Sequence, residues 1–136
     1  MPKKFTSKSQ KVGEIGENVA IKFLMKRDFL ILERNYTKKW GEIDIVAEKD
    51  SKIHFVEVKS VSKQSLEMVT HETLDQYHPE DNMHPWKQKR LSRTIQTYLL
   101  SKTISEEKPW QVDLLVIFLD ISSKKARVKL VSDIVL

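Results

Sequence analysis

The stretch "WQVDLLVIFLD", residues 110–120, constrains this chain more than any other. It is almost continuously apolar. A strand with one wet face alternates apolar and polar residues, whereas an apolar strand must be covered on both faces. Such a strand belongs inside a sheet with helices packed against it. Two segments have the period to supply those helices. From about Ser9 to Arg27, Val12, Ile15, Val19, Ala20, Phe23 and Leu24 recur at helical spacing. From Trp86 to about Lys102, Leu91, Ile95, Tyr98 and Leu99 form a second stripe, and Pro85 suits its start.

The remaining strands follow from composition and turns. "FLILERNY" at 29–36 is rich in β-formers, and Lys38 to Gly41 reads as a turn. Residues 42–47 and 53–60 are two further strands, and "ARVKLV" at 126–131 is a partly exposed last strand. Residues 61–84 are polar, contain His71, His78 and His84, and read as a loop with a short helix near 65–75. The order is αβββαβ plus a final strand. The helix between strands three and four implies a parallel crossover, right-handed by the usual rule. The expected fold is α/β, a central mixed sheet flanked by helices, in one domain spanning 1–136.

With no cysteine in the chain, disulfides and thiolate metal sites are excluded. "LLVIFL" at 114–119, the longest apolar run, is too short to cross a membrane. The basic start "MPKKFTSKSQK" lacks the apolar stretch of a signal peptide. A soluble cytoplasmic protein is the default expectation. The net charge of +5 suits an anionic partner such as nucleic acid.

Against this frame, three charges in "GEIDIVAEKDSKIHFVEVK", residues 41–59, are out of place. Asp44 interrupts the first apolar run, and Glu57 and Lys59 interrupt the second. Alternation puts Glu57 and Lys59 on the face of Ile53 and Phe55. With an even turn centred on Asp50-Ser51, Val46 faces Phe55, Asp44 faces Glu57, and Glu42 faces Lys59. An odd loop sends Asp44 to the other face. Opposed carboxylates destabilise a strand pair. A raised pKa offsets this, as does Lys59 in part or a divalent cation in full. Mg²⁺ or Mn²⁺ takes hard oxygen ligands, and Asp44, Glu57 and the carbonyl of Val58 offer one face of such a shell. A surface hairpin with ordinary cross-strand ion pairs is the bland alternative.

The first helix offers a fourth group. Glu17 lies about 20° from Leu24, at the edge of the apolar stripe, while Glu14 lies further round in solvent. Gly13 and Gly16 beside it cost helix stability, which suggests close approach of a backbone or ligand, or tight helix packing.

"GEIDIVA…FVEVK" resembles the signature of the YraN-like family of small bacterial proteins, itself similar to the PD-(D/E)xK nuclease superfamily and nearest to archaeal Holliday-junction resolvases. "GEIGENVAIKFL", "RNYTKKWGEIDIVA", "WKQKRLSRTIQTYL" and "QVDLLVI" resemble the family's first helix, next strands, second helix and following strand. The resemblance implies a restriction-endonuclease-like αβββαβ core. It implies Asp44 and Glu57 as metal ligands, Lys59 as catalytic base or charge stabiliser, and Glu17 as a helix-borne acid. Glu42 matches the G-E-I-D run, and Lys87 and Gln88 match the start of the second-helix motif. The match departs twice: the segment between Lys59 and Lys87 is longer and lacks glycine, and "KSVS" replaces the arginine usual after the lysine.

The expected activity is metal-dependent hydrolysis of phosphodiesters, with DNA the first choice of substrate; branched DNA, linear DNA and RNA all stay open, and junction cleavage would require a homodimer. Lys87, Lys89, Arg90 and Arg93 are candidate phosphate contacts, or a solvated helix face. Trp40 has two readings, base stacking or packing. The loop histidines lack a recognised ligand spacing. The rival is a nucleic-acid-binding module whose nuclease site is weak or unused; a scaffold without nucleic acid leaves the charge set unexplained.

Overall fold

Helix α1 (Lys8–Lys26) turns the line Gly16, Ala20 and Leu24 toward the sheet, with Val12, Val19 and Phe23 beside it. Ile15 was expected in that stripe but is 39% exposed. Gly16 is the point of closest approach, and a neighbouring residue is rotated about 100° away from it. Past Lys26 the chain leaves the helix through Asp28, whose φ of 66° is left-handed, while Phe29 N–H returns to Leu24 O at 3.1 Å. The computed structural model describes residues 8–62, 85–120 and 122–136.

Five strands follow: β1 (Leu30–Lys38), β2 (Gly41–Lys49), β3 (Lys52–Ser62), β4 (Trp110–Asp120) and β5 (Lys125–Val131), with helix α2 (Pro85–Ser101) between β3 and β4. They form one sheet in sequence order, parallel only between β3 and β4. A five-stranded mixed sheet flanked by two helices fits a restriction-endonuclease-like core. The expected element order holds among the described residues. The proposed short helix near 65–75 and the loop histidines lie outside the described residues.

The two-residue turn behaves as its residues suggest. Asp50 and Ser51 both have positive φ, 52° and 62°, the signature of a type I′ hairpin whose twist matches its strands. Paired numbers sum to 101, from Lys49 with Lys52 to Ile45 with Val56. There the ladder stops. Asp44 with Glu57 and Glu42 with Lys59, expected as further pairs, are not part of it. β2 also breaks its alternation at this point: Ile43 joins the cluster under α2, and Ile45 joins the cluster under α1.

β4 is an interior strand, buried from Gln111 to Asp120. On its α1 side Leu115, Ile117 and Leu119 pack with Ala20, Leu24 and Val56. On the other side Val112 joins Phe55, Ile95 and Tyr98, where Tyr98 meets Tyr36 and Phe55 edge-on at 5.1 and 5.6 Å. A polar cluster closes the end of the sheet away from Lys59. Asp113 bonds His54 Nδ1 at 2.7 Å, and accepts from Gln111 Nε2 at 2.7 Å and Asp133 N–H at 2.9 Å. That accounts for a buried acid in the most apolar strand.

Candidate active site

The break between β2 and β3 opens a cleft of about 630 Å³. Its origin is one hydrogen bond. Hydrogen-bonded pairs alternate along an antiparallel ladder. Counting from the turn, the next such pair after Ile45 and Val56 would be Ile43 and Val58. Instead, Val58 N–H donates to Asp44 Oδ2 at 2.8 Å. The side chain replaces the backbone carbonyl, and the strands part. A residue in a ladder directs its N–H and C=O to the same neighbour, so the Val58 carbonyl faces the same gap.

Close packing sets the walls. A Cβ on Gly16 would overlap Ser60 Oγ and lie 2.9 Å from Ser60 Cβ. α1 therefore rides on β3 just beyond Lys59, which carries Glu17 to the cleft. At Gly41 a Cβ would lie 2.7 Å from Thr94 Oγ1 and 3.3 Å from Arg90 O. Thr94 Oγ1 is already held by Arg90 O at 2.7 Å. The start of β2 thus packs on α2 with no room for a side chain at Gly41, and Lys87, Arg90 and Leu91 line the opposite wall.

Glu17, Glu42, Asp44, Glu57, Val58 and Lys59 all line this cleft. Glu17 and Asp44 are buried, at 5% and 8% exposure; Glu57 is half-buried and Lys59 exposed. Glu14 is exposed, as its helical angle requires. The carboxylate oxygens Oε2 of Glu17 and Oε1 of Glu57 are shielded from solvent. Burying several carboxylates together is costly unless cations share the site. Lysines and Arg90 from three elements surround them: Lys59 on β3, Lys87 and Arg90 on α2, and Lys38 and Lys39 at the β1–β2 turn.

Lys38 and Lys39 escaped the sequence reading because a turn's lean is a tertiary property. Lys89 and Arg93 are exposed but do not line the cleft. The Arg93 guanidinium stacks 4.2 Å from the Trp40 ring centroid, and Trp40 Nε1 is enclosed. Trp40 is packed rather than presented.

Asp44, Glu57 and the Val58 carbonyl are hard oxygen donors, the type that suits Mg²⁺ or Mn²⁺. Among the described residues, no three or more His, Cys, Asp or Glu side chains group closely enough to hold a metal ion. A cation here would take two carboxylates, a backbone carbonyl and waters, which matches the water-rich shell Mg²⁺ keeps.

Residues 16–118 match the family described as Uncharacterised protein family UPF0102. The chain belongs to the UPF0102 family. The matched span runs from the Gly16 contact to β4 and holds every candidate residue from Glu17 to Arg93. A UPF0102 protein of Campylobacter jejuni subsp. jejuni serotype O:23/36 is 38% identical over 109 residues, covering 80% of this chain and 85% of the relative. One from Campylobacter fetus subsp. fetus is 40% identical over 105 residues (77% and 81%). One from Campylobacter hominis is 36% identical over 108 residues (79% and 84%). Among the described residues no helix is long and apolar enough to cross a membrane.

Proposed function

We propose that this UPF0102 protein is a metal-dependent endonuclease that hydrolyses DNA phosphodiester bonds, branched DNA among them. One observation carries the reading. Glu17, Asp44, Glu57 and Lys59, from two strands and a helix, share a single cleft with basic side chains on both walls. An ordinary surface hairpin accounts for cross-strand ion pairs but not for a buried helix glutamate beside them.

In this mechanism Asp44, Glu57 and the Val58 carbonyl would hold Mg²⁺ or Mn²⁺. When bound, the cation polarises the scissile phosphate and lowers the pKa of a coordinated water. Lys59, exposed at the cleft mouth, stabilises the negative charge that develops on the phosphate or orients the attacking water. Glu17, which lines the cleft from the α1 side, would help orient the attacking water. Lys87 and Arg90 hold the sugar-phosphate backbone from α2, and Lys38 and Lys39 hold it from the β1–β2 turn.

The test is incubation with junction, nicked, linear and single-stranded DNA in Mg²⁺, Mn²⁺ or chelator. Cleavage in metal is expected, abolished in Asp44→Ala, Glu57→Ala and Lys59→Ala with binding largely kept. Binding without cleavage by the wild type would favour a nucleic-acid-binding module with an unused site. Equal cleavage by the Asp44 variant would overturn the catalytic assignment.

A further inference from the structure

Two indoles stand near the cleft, and they differ. Trp40 is half-buried with Arg93 across its ring, whereas Trp86 is 51% exposed. Trp86 occupies the first turn of α2, next to Lys87 in the cleft wall. The guanidinium of Arg90, another wall residue, lies 3.7 Å from its ring centroid. A single exposed aromatic residue is unremarkable by itself. This one is held by a cation–π contact to a side chain that lines a basic-walled cleft.

We propose that Trp86 is a stacking platform for an unpaired nucleobase, so that the DNA substrate carries single-stranded nucleotides beside the cut. The inference rests on the endonuclease reading. A base inside a duplex already has both faces covered by its neighbours, so away from a duplex end only an unpaired base offers a face to an indole. Arg90 joins the two halves of such a contact. Its guanidinium braces the ring, and the residue lines the cleft where the backbone phosphate would run. Stacking of this kind tolerates any sequence, because every base has a π-face. It suits an enzyme that recognises a discontinuity in DNA rather than a word.

The test is performed in chelator, so that binding is read without cleavage. Fluorescence anisotropy would follow labelled oligothymidine, the same oligomer with abasic sites, and a blunt duplex. Wild type is compared with Trp86→Leu and Trp86→Phe, each checked by thermal melt. Trp86→Leu should weaken oligothymidine binding about tenfold, the scale of one lost base stack. Trp86→Phe should keep most of it. The abasic oligomer and the duplex should bind wild type and Trp86→Leu alike. Equal weakening on intact and abasic oligomers would overturn the proposal, since the ring would then serve the backbone or the fold. Unchanged binding of oligothymidine would overturn it too, while duplex binding left the endonuclease reading standing. A wild type that binds none of the three would sink both.

Discussion

Asp44 Oδ2 accepts the N–H of Val58 at 2.8 Å, in the place that the carbonyl of Ile43 would hold if the ladder continued. One side chain therefore ends a strand pairing and stands at the centre of the candidate site. Its two roles are separable. Asp44→Ala leaves a partly buried N–H without that acceptor and should cost about 1–3 kcal/mol. Asp44→Asn keeps an oxygen for Val58 and removes the charge beside Glu57; without metal it should stay within about 1 kcal/mol of wild type. A cation that binds only the folded state adds about 1.4 kcal/mol at ten times its dissociation constant, or a few degrees. Wild type should show that rise in Mn²⁺, and both variants should lose it. Thermal melts in chelator and in Mn²⁺ give all the comparisons. A wild type indifferent to Mn²⁺ would remove the metal from the site.

Gly16 meets Ser60 where α1 crosses β3, and the contact can be graded. Alanine is the better helix former by about 1 kcal/mol. At Gly16 that gain should be overridden, because the new methyl overlaps Ser60 Oγ and lies 2.9 Å from its Cβ. Gly16→Ala should destabilise by about 1–3 kcal/mol, the scale of overpacking. Adding Ser60→Ala removes one overlapping atom and should recover part of the loss; Ser60→Gly removes both and should recover more. A double-mutant cycle by urea denaturation measures the coupling. If the two sites add independently, α1 is not seated through this contact.

The depth at which the sequence could be read differs between these residues. The register of β2 and β3 was legible on the condition of an even turn, which Asp50 and Ser51 meet, and it holds from Lys49 with Lys52 to Ile45 with Val56. The placement of Glu17 was legible, because helical angle is arithmetic. The end of the ladder at Ile45 was not. A side chain that takes a backbone N–H leaves no mark on an alternating pattern. Nor was the pairing of His54 with Asp113, 59 residues apart in the chain, or the basic wall at Lys38 and Lys39. Those depend on which distant elements meet.

Tyr98 predicts the alkaline limit of the α2 packing. Its hydroxyl pKa is raised above the ordinary 10.0, first by burial and then by the charges of Glu33, Tyr36 and Glu48. The unfolded chain ionises Tyr98 at lower pH than the folded one. Its contribution is full below 10.0 and is lost as pH rises from there through the folded-state value. Tyr98→Phe has nothing to ionise at this position. Wild type should therefore lose stability relative to the variant as pH rises above 10.0. Urea denaturation of both proteins at neutral pH and above that value reads the difference. A constant gap would show that the phenol ionises equally in both states.

The two basic walls predict how binding answers salt. Each phosphate contact releases counterions, so the logarithm of affinity falls with the logarithm of salt in proportion to the contacts made. Lys87 and Arg90 face the cleft from α2, and Lys38 and Lys39 face it from the β1–β2 turn. If DNA lies between them, removing either pair to alanine should flatten the slope by about one unit per lost contact, hence by about two. Removing all four should flatten it by about four, because the walls are separate and their effects add. Lys89 is exposed on α2 but lies off the cleft lining, which makes Lys89→Ala the comparison for charge without position. Anisotropy titrations of labelled DNA in chelator, repeated across salt concentrations, measure every slope. A change confined to the α2 pair would move the backbone onto one wall, and a Lys89→Ala slope as flat as that of the paired variants would mean that net charge, not the cleft, holds the DNA.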